Sequence, residues 1–245
     1  MGVYGKMTRK TKIVATIGPA SMDINIIRRM MMEGVDVFRL NFAHGTLREK
    51  EETIRKIREI ESELDTYVAI VSDIPGRGPR IGTLPSHYLE RGEKVVISFG
   101  VNESDNPHII PVPQMPLYDI IDVGDEILLA DGRVIVKVDR ILENEAEGTV
   151  ISDGDIRPHV SITIRNKQLP FPALSKRDKK FVIFSIEKGV DYIAMSFVQS
   201  REDIRELKKF LADNGGEEIK IIAKIENKPA ILNLRGIIRE SDAIM

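Results

Sequence analysis

The chain of 245 residues has no cysteine and no tryptophan. The lack of cysteine excludes a disulfide framework, a thiolate metal site and a cysteine nucleophile. An excess of one charge is also missing, since 36 Lys and Arg stand against 38 Asp and Glu for a net charge of −2. A dedicated nucleic-acid or anionic-membrane binder would carry a basic surplus, so neither partner is expected. No apolar run approaches the roughly 20 residues of a membrane span. The basic N-terminal residues are not followed by the apolar segment of a secretory signal, so the sequon at Asn102-Glu103-Ser104 predicts no glycosylation. At 42% hydrophobic residues the chain is too apolar for disorder. A cytoplasmic globular protein remains, and abundant Lys, Glu and Ile with only three Gln lean towards heat adaptation.

What is present first is an alternation of strand and helix signals, which predicts a parallel α/β fold. Lys12 to Ile17 reads as a buried strand, followed by a helix carrying Ile26, Ile27, Met30 and Met31 with Gly34 as its stop. A second strand covers Asp36 to Asn41, and Thr46 with Glu49 forms a capping box for the next helix. Tyr67 to Asp73 is the third strand. From Leu84 to Pro170 the rhythm changes to short alternating strands, with five prolines between Pro85 and Pro116 and a two-residue hairpin signal at Asp131-Gly132. The α/β rhythm then resumes with helices capped at Ser175 and Ser200. Strands follow at Tyr192 to Val198 and Lys220 to Ile225, and Ala243 to Met245 opens a sixth. The expected division is 1–83 and 171–245 for the α/β part and 84–170 for an inserted all-β, barrel-like domain.

Ligands of parallel α/β folds bind at the C-terminal ends of strands. The polar residues predicted there are Arg39, Asn41 and His44 after the second strand, and Asp73 with Arg80 after the third. Lys224 and Glu226 lie two apart near the fifth, and so on one face. A lysine within an apolar strand is costly unless it meets an anion. Arg39, Arg80 and Lys224 can neutralise phosphate, and Glu226 can help hold a divalent cation, the combination phosphoryl transfer requires. Each also has a plainer reading: Arg39 as half of an ordinary ion pair, and Lys224 with Glu226 as a structural pair inside a barrel. The glycines at 76, 78 and 82 fit no dinucleotide or P-loop fingerprint, and His87, His108 and His159 lack metal-ligand spacing.

Five ordered segments carry a family resemblance: Lys12-Ile-Val-Ala-Thr-Ile-Gly-Pro-Ala-Ser21, Phe38-Arg-Leu-Asn-Phe-Ala-His-Gly45, Leu169-Pro-Phe-Pro-Ala-Leu-Ser175, Gly189-Val-Asp-Tyr-Ile-Ala-Met-Ser-Phe-Val198 and Ala223-Lys-Ile-Glu-Asn227. Together they resemble pyruvate kinase over essentially the whole chain. The resemblance implies a (β/α)8 TIM-type barrel, of which this chain would hold strands one to five and the start of the sixth. It implies transfer of phosphate from phosphoenolpyruvate to ADP in glycolysis, with Mg²⁺ (or Mn²⁺) and usually K⁺. By the same resemblance Lys224 contacts the transferred phosphoryl group, Arg39 lies beside it and Glu226 is one of two metal carboxylates. Asn41, His44 and Arg80 lie on the nucleotide-phosphate side, and Asn41 and Asp73 match monovalent-cation ligands.

The departures bear on function. Ala43 replaces the usual serine and Gly78 the usual glutamate, which removes two groups tied to K⁺; Arg77 is the expected guanidinium substitute. The family's Lys-Gly-Val-Asn-Leu-Pro-Gly is replaced by Val160-Ser-Ile-Thr-Ile-Arg-Asn166. The second metal carboxylate would follow Met245 in the family. Roughly 85 residues of insert leave roughly 160 for a barrel that typically needs about 250. The expectation is therefore an N-terminal portion with little turnover alone, completed by a complementary half or a homo-oligomer. The alternatives are a non-catalytic binder of phosphorylated ligands or of a partner, one half of a split enzyme, and, against the evidence of the insert, a lyase of the wider phosphoenolpyruvate-binding barrels.

Overall fold

The computed structural model describes residues 10–245. The N-terminal residues considered above for a signal fall largely outside that range. In chain order the first elements are β1 (Val14–Ile17), α1 (Ile24–Met32), β2 (Val37–Asn41), α2 (Leu47–Glu63) and β3 (Ala69–Ile74). Eight strands follow: β4 (His87–Leu89), β5 (Lys94–Phe99), β6 (Ile109–Val112), β7 (Glu126–Leu129), β8 (Val134–Leu142), β9 (Glu145–Ser152), β10 (Gly154–Ile156) and β11 (Ile162–Ile164). The last group is α3 (Lys176–Glu187), β12 (Tyr192–Met195), α4 (Arg201–Ala212), β13 (Lys220–Ala223), α5 (Lys228–Leu232), α6 (Leu234–Glu240) and β14 (Ala243–Ile244).

Six strands form one curled sheet in the order β1-β2-β3-β12-β13-β14. Every pairing in it is parallel. Side-chain alternation divides its faces. Phe38, Leu40, Ile70, Ile193 and Ile221 point outward and pack beneath the helices with Ile27, Ile57, Val182 and Leu207. Val71, Ala194 and Ile222 form a small cluster on the inner face, with Val37 and Tyr192 against it. Along that inner face, two residues further on, lie Arg39 and Asp73, so the pleat carries the charged groups to the C-terminal rim.

The helices start where their caps dictate. Thr46, Ser175 and Ser200 each close a capping box, and Asp23 accepts hydrogen bonds from Asn25 and Ile26 at the start of α1. Two predicted strands are shorter than the pattern suggested. β12 stops at Met195 and β13 at Ala223, so Lys224 and Glu226 lie in the segment after the strand rather than in it.

A second core of Leu89, Ile97, Ile110, Leu129, Val136 and neighbours is enclosed by the sheet β11-β7-β8-β9-β5-β6 and the pair β10-β4. A short 3₁₀ turn at Met115–Ile120 is the helical element between β6 and β7. The hairpin expected to turn on Asp131-Gly132 alone pairs Leu129 with Val134, and its loop contains Ala130, Asp131, Gly132 and Arg133. The first three of those have positive φ, which a two-residue turn would have confined to Asp131 and Gly132.

At the N-terminal end of the sheet, Asp191 joins three elements. Its carboxylate accepts from Arg58 (2.8 Å), Tyr67 (2.6 Å) and the Ile70 amide (2.7 Å). The hydrogen bond to Asp191 is the main cause raising the Tyr67 pKa from the usual 10.0 to about 12. Because the folded value lies above the unfolded one, this contribution is complete below pH 10 and disappears as pH rises through about 12. In an alkaline ultraviolet titration one tyrosine is expected to ionise near 12, and Asp191→Ala to abolish that late step and lower stability by about 2 kcal/mol. An unchanged titration in the variant would refute the assignment.

Candidate active site

The sheet register sets Asp73 beside Asn41 on one flank and Ala194 on the other. Ser196 lies two residues beyond Ala194, and Lys224 follows the last residue of β13. These positions converge on one carboxylate. Asp73 is 3% exposed, and both its oxygens lie near Lys224 Nζ, at 3.1 and 3.3 Å. Arg39 Nε donates to Asp73 Oδ2 at 2.7 Å, while its two terminal nitrogens reach Thr16 Oγ1 (2.9 Å) and Asp73 again. Lys224 also donates to Ser196 Oγ at 2.8 Å and pairs with Glu226 Oε1 at 3.1 Å. The second oxygen of Glu226 accepts from the Phe197 amide at 2.9 Å.

Arg39, Asp73, Lys224 and Glu226 are thus brought together as the strand ends predicted. The plain ion-pair readings are also true of the geometry, because each cation has a carboxylate. Asn41, beside Asp73 in the sheet register, and His44 line a cavity of about 370 Å³ with Thr16, Ile17, Pro19 and Lys50. Arg80 is not in the cluster. It is exposed, donates to the His159 carbonyl at 2.8 Å and lines a separate cavity of about 300 Å³.

Thr16, Ser196 and Phe197 were not singled out by chemistry, although all three lie within the resemblance segments. Phe197 has φ of 54°, a left-handed conformation uncommon for a residue with a side chain. Its ring fills the space beside Gly78, where an added Cβ would lie 2.4 Å from the ring. Arg77, expected to stand in for K⁺, is turned elsewhere. Its guanidinium is buried, pairs with Asp203 and donates to the Phe171 carbonyl at 2.8 Å. Nothing about residue 77 in the sequence names a partner so far along the chain.

The expected monovalent-cation ligands do not fit a K⁺ site: the oxygens of Asp73 are held by Arg39 and Lys224, and Asn41 Oδ1 accepts from the Ala43 amide at 2.9 Å. Among the described residues no three His, Asp or Glu side chains group as metal ligands. A half-exposed Glu226 at the rim nevertheless fits the manner in which Mg²⁺ is commonly held, by one or two carboxylates together with substrate oxygens.

The family description "Pyruvate kinase, barrel domain" matches residues 8–245. The chain is 39% identical over 240 residues to the pyruvate kinase of Thermococcus litoralis, covering 97% of this chain and 50% of that protein. It is 33% identical over 245 residues to a pyruvate kinase of Agrobacterium vitis, covering 99% and 50%, and 34% identical over 243 residues to that of Geobacillus stearothermophilus, covering 98% and 41%. The chain belongs to the pyruvate kinase family, and it spans about half the length of these curated relatives.

Two substitutions probe the site's construction. Asp73→Ala would leave Arg39 and Lys224 facing one another with one buried partner gone, a loss of about 3–5 kcal/mol by thermal or denaturant unfolding; a change below about 1 kcal/mol would contradict the role assigned to Asp73. Gly76 has φ of +65°, and a Cβ there would lie 2.2 Å from the Ser196 carbonyl oxygen, whereas Gly92 has φ of +96° with nothing within 4 Å. Gly76→Ala should therefore destabilise clearly more than Gly92→Ala, which carries backbone strain of about 1 kcal/mol alone. Equal losses would mean that the approach to Ser196 is not tight.

Proposed function

We propose that this chain carries the phosphoenolpyruvate-binding part of a cytoplasmic pyruvate kinase, in a parallel sheet that is the first portion of a (β/α)8 barrel. In this reading 1–83 and 171–245 are the barrel parts and 84–170 the inserted β-domain. The observation that carries it is the charge arithmetic at the rim. Arg39 and Lys224 stand against Asp73 and Glu226, two cations against two carboxylates.

A phosphoryl dianion entering such a neutral cluster alone would leave an excess of negative charge in a partly buried place. Glu226 would be the carboxylate to hold a divalent cation, whose charge would restore the balance, and Lys224 is then the ammonium available to the phosphoryl oxygens. Mg²⁺ when bound would supply charge neutralisation on the substrate oxygens. The residues of the chain do the remainder. Asp73, itself unable to leave its two cations without cost, holds Lys224 and Arg39 in place. Ser196 and Thr16 fix the directions of their N–H groups. Lys224 is the catalytic residue, its ammonium stabilising charge that builds on the phosphoryl group in transfer. Asn41 and His44, on the flank towards α2, would receive the nucleotide phosphates. Arg80 would join them only by a movement of its loop, since it now serves the His159 carbonyl.

With Glu226 as the one carboxylate of the described cluster not held by two cations, slow or absent pyruvate formation by this chain alone is the expected outcome, and a complementary segment or second subunit would supply the rest. Titration calorimetry with phosphoenolpyruvate tests the reading on the chain as it stands. Binding is expected in Mg²⁺, reduced at least about tenfold by chelation and likewise by Lys224→Met, the size of a lost charge-assisted contact. Binding that is indifferent to both changes would sink the proposal.

A further inference from the structure

The cavity of about 370 Å³ between the ends of β1 and β2 and the first turn of α2 contains a cation that the phosphoryl site does not use. Lys50 is half-buried there, and while its backbone amide donates to the Thr46 carbonyl at 3.2 Å, its ammonium makes no hydrogen bond or ion pair with another described residue. The Glu49 carboxylate, which acts on it electrostatically, is already committed to the Thr46 amide and hydroxyl at 2.6 and 3.0 Å. Burial pushes the lysine below its ordinary pKa, the response of an ammonium that has lost water without gaining an acceptor. The lining of the same cavity includes the apolar Ile17, Pro19, Met22 and Leu40. A largely apolar slot with one uncommitted ammonium beside the polar groups Asn41 and His44 suits a flat heterocycle that presents acceptors at its edge.

Purine bases differ at that edge. A 6-oxopurine offers two adjacent acceptors, O6 and N7, which a lysine ammonium can bridge. Adenine offers N7 beside an amino group whose hydrogens would face the ammonium. We propose that Lys50 is a specificity residue that makes this pocket favour 6-oxopurine nucleoside diphosphates over ADP. The inference rests on the reading above that Asn41 and His44 mark the nucleotide side.

Calorimetric titration of the chain with GDP, IDP and ADP, each with Mg²⁺, tests it. GDP and IDP are expected to bind about tenfold or more tighter than ADP, the discrimination that one such base contact supports. In Lys50→Met the three affinities should converge with that for ADP nearly unchanged, and Lys50→Arg, which keeps the donors, should retain the preference. His44→Ala should weaken all three without altering their ratio. Equal affinities in the unaltered chain, a preference that survives Lys50→Met, or an equal weakening of all three by that variant would overturn the proposal, the last because the ammonium would then be meeting phosphate. Equal, His44-dependent binding would overturn the specificity alone; absence of any nucleotide binding would overturn it together with the nucleotide-side reading.

Discussion

One buried carboxylate governs the arrangement of the rim. Asp73 sits at the end of a strand whose neighbours are already fixed by register, and it draws Arg39 from β2 and Lys224 from beyond β13 to a common point. A single anion facing two cations leaves one positive charge to be answered. In this structure Glu226 answers it. That makes Glu226 the exchangeable member of the set: it is exposed, lies after the strand and is bonded otherwise to one amide. The rigid part of the site is therefore the cationic part, and the variable part is the anionic one. Under the proposed reading, in which an anion and a metal enter together, that division would serve both.

The same carboxylate links chemistry to packing. The strand that carries Asp73 on its inner face carries Ser72 on the outer, where it meets Ser185 of α3 at 2.9 Å in a buried position. The chain leaves β3 and passes Gly76 close under the Ser196 carbonyl, so the loop and the end of β12 are held together by backbone contact rather than by side chains. The left-handed Phe197 follows at once, its amide directed to Glu226. Local backbone strain of this kind persists where surrounding contacts over-determine it, and here those contacts are the site itself.

Much of this was legible from alternation alone. Arg39, Asn41 and Asp73 follow from period two along β2 and β3, because a strand with Phe38, Leu40 and Ile70 on its buried face must turn the intervening residues inward. The capping boxes at Thr46, Ser175 and Ser200 are local signals and placed three helices correctly. What sequence could not supply were contacts made by chain segments with no local reason to meet. Arg77 finds Asp203 only through the fold, and Arg80 finds the His159 carbonyl in the same way. Lys224 and Glu226 do converge, but the expected cause was wrong: they meet as neighbours in an irregular segment and not as alternate residues of a strand. The hairpin near Asp131 failed for a related reason, since Ala130 adopts positive φ that no propensity for alanine suggests.

The chain crosses between its two hydrophobic cores twice, and the crossings are tied to each other. Arg77 on the outward path donates to the Phe171 carbonyl on the return, and the Gly76 amide donates to Asp178 at 3.1 Å. Gln199 meanwhile makes a reciprocal pair with the backbone of Leu169, at 2.7 and 3.2 Å. Since departure and return are adjacent, the β-rich body hangs from the parallel sheet as a closed loop with a narrow neck. Ordering that neck costs the sheet little more than a long surface loop would, because closure entropy grows only logarithmically with the residues enclosed. Any tilt of the β-rich body must therefore strain the contacts that Arg77 makes with Asp203 at the start of α4 and with the Phe171 carbonyl.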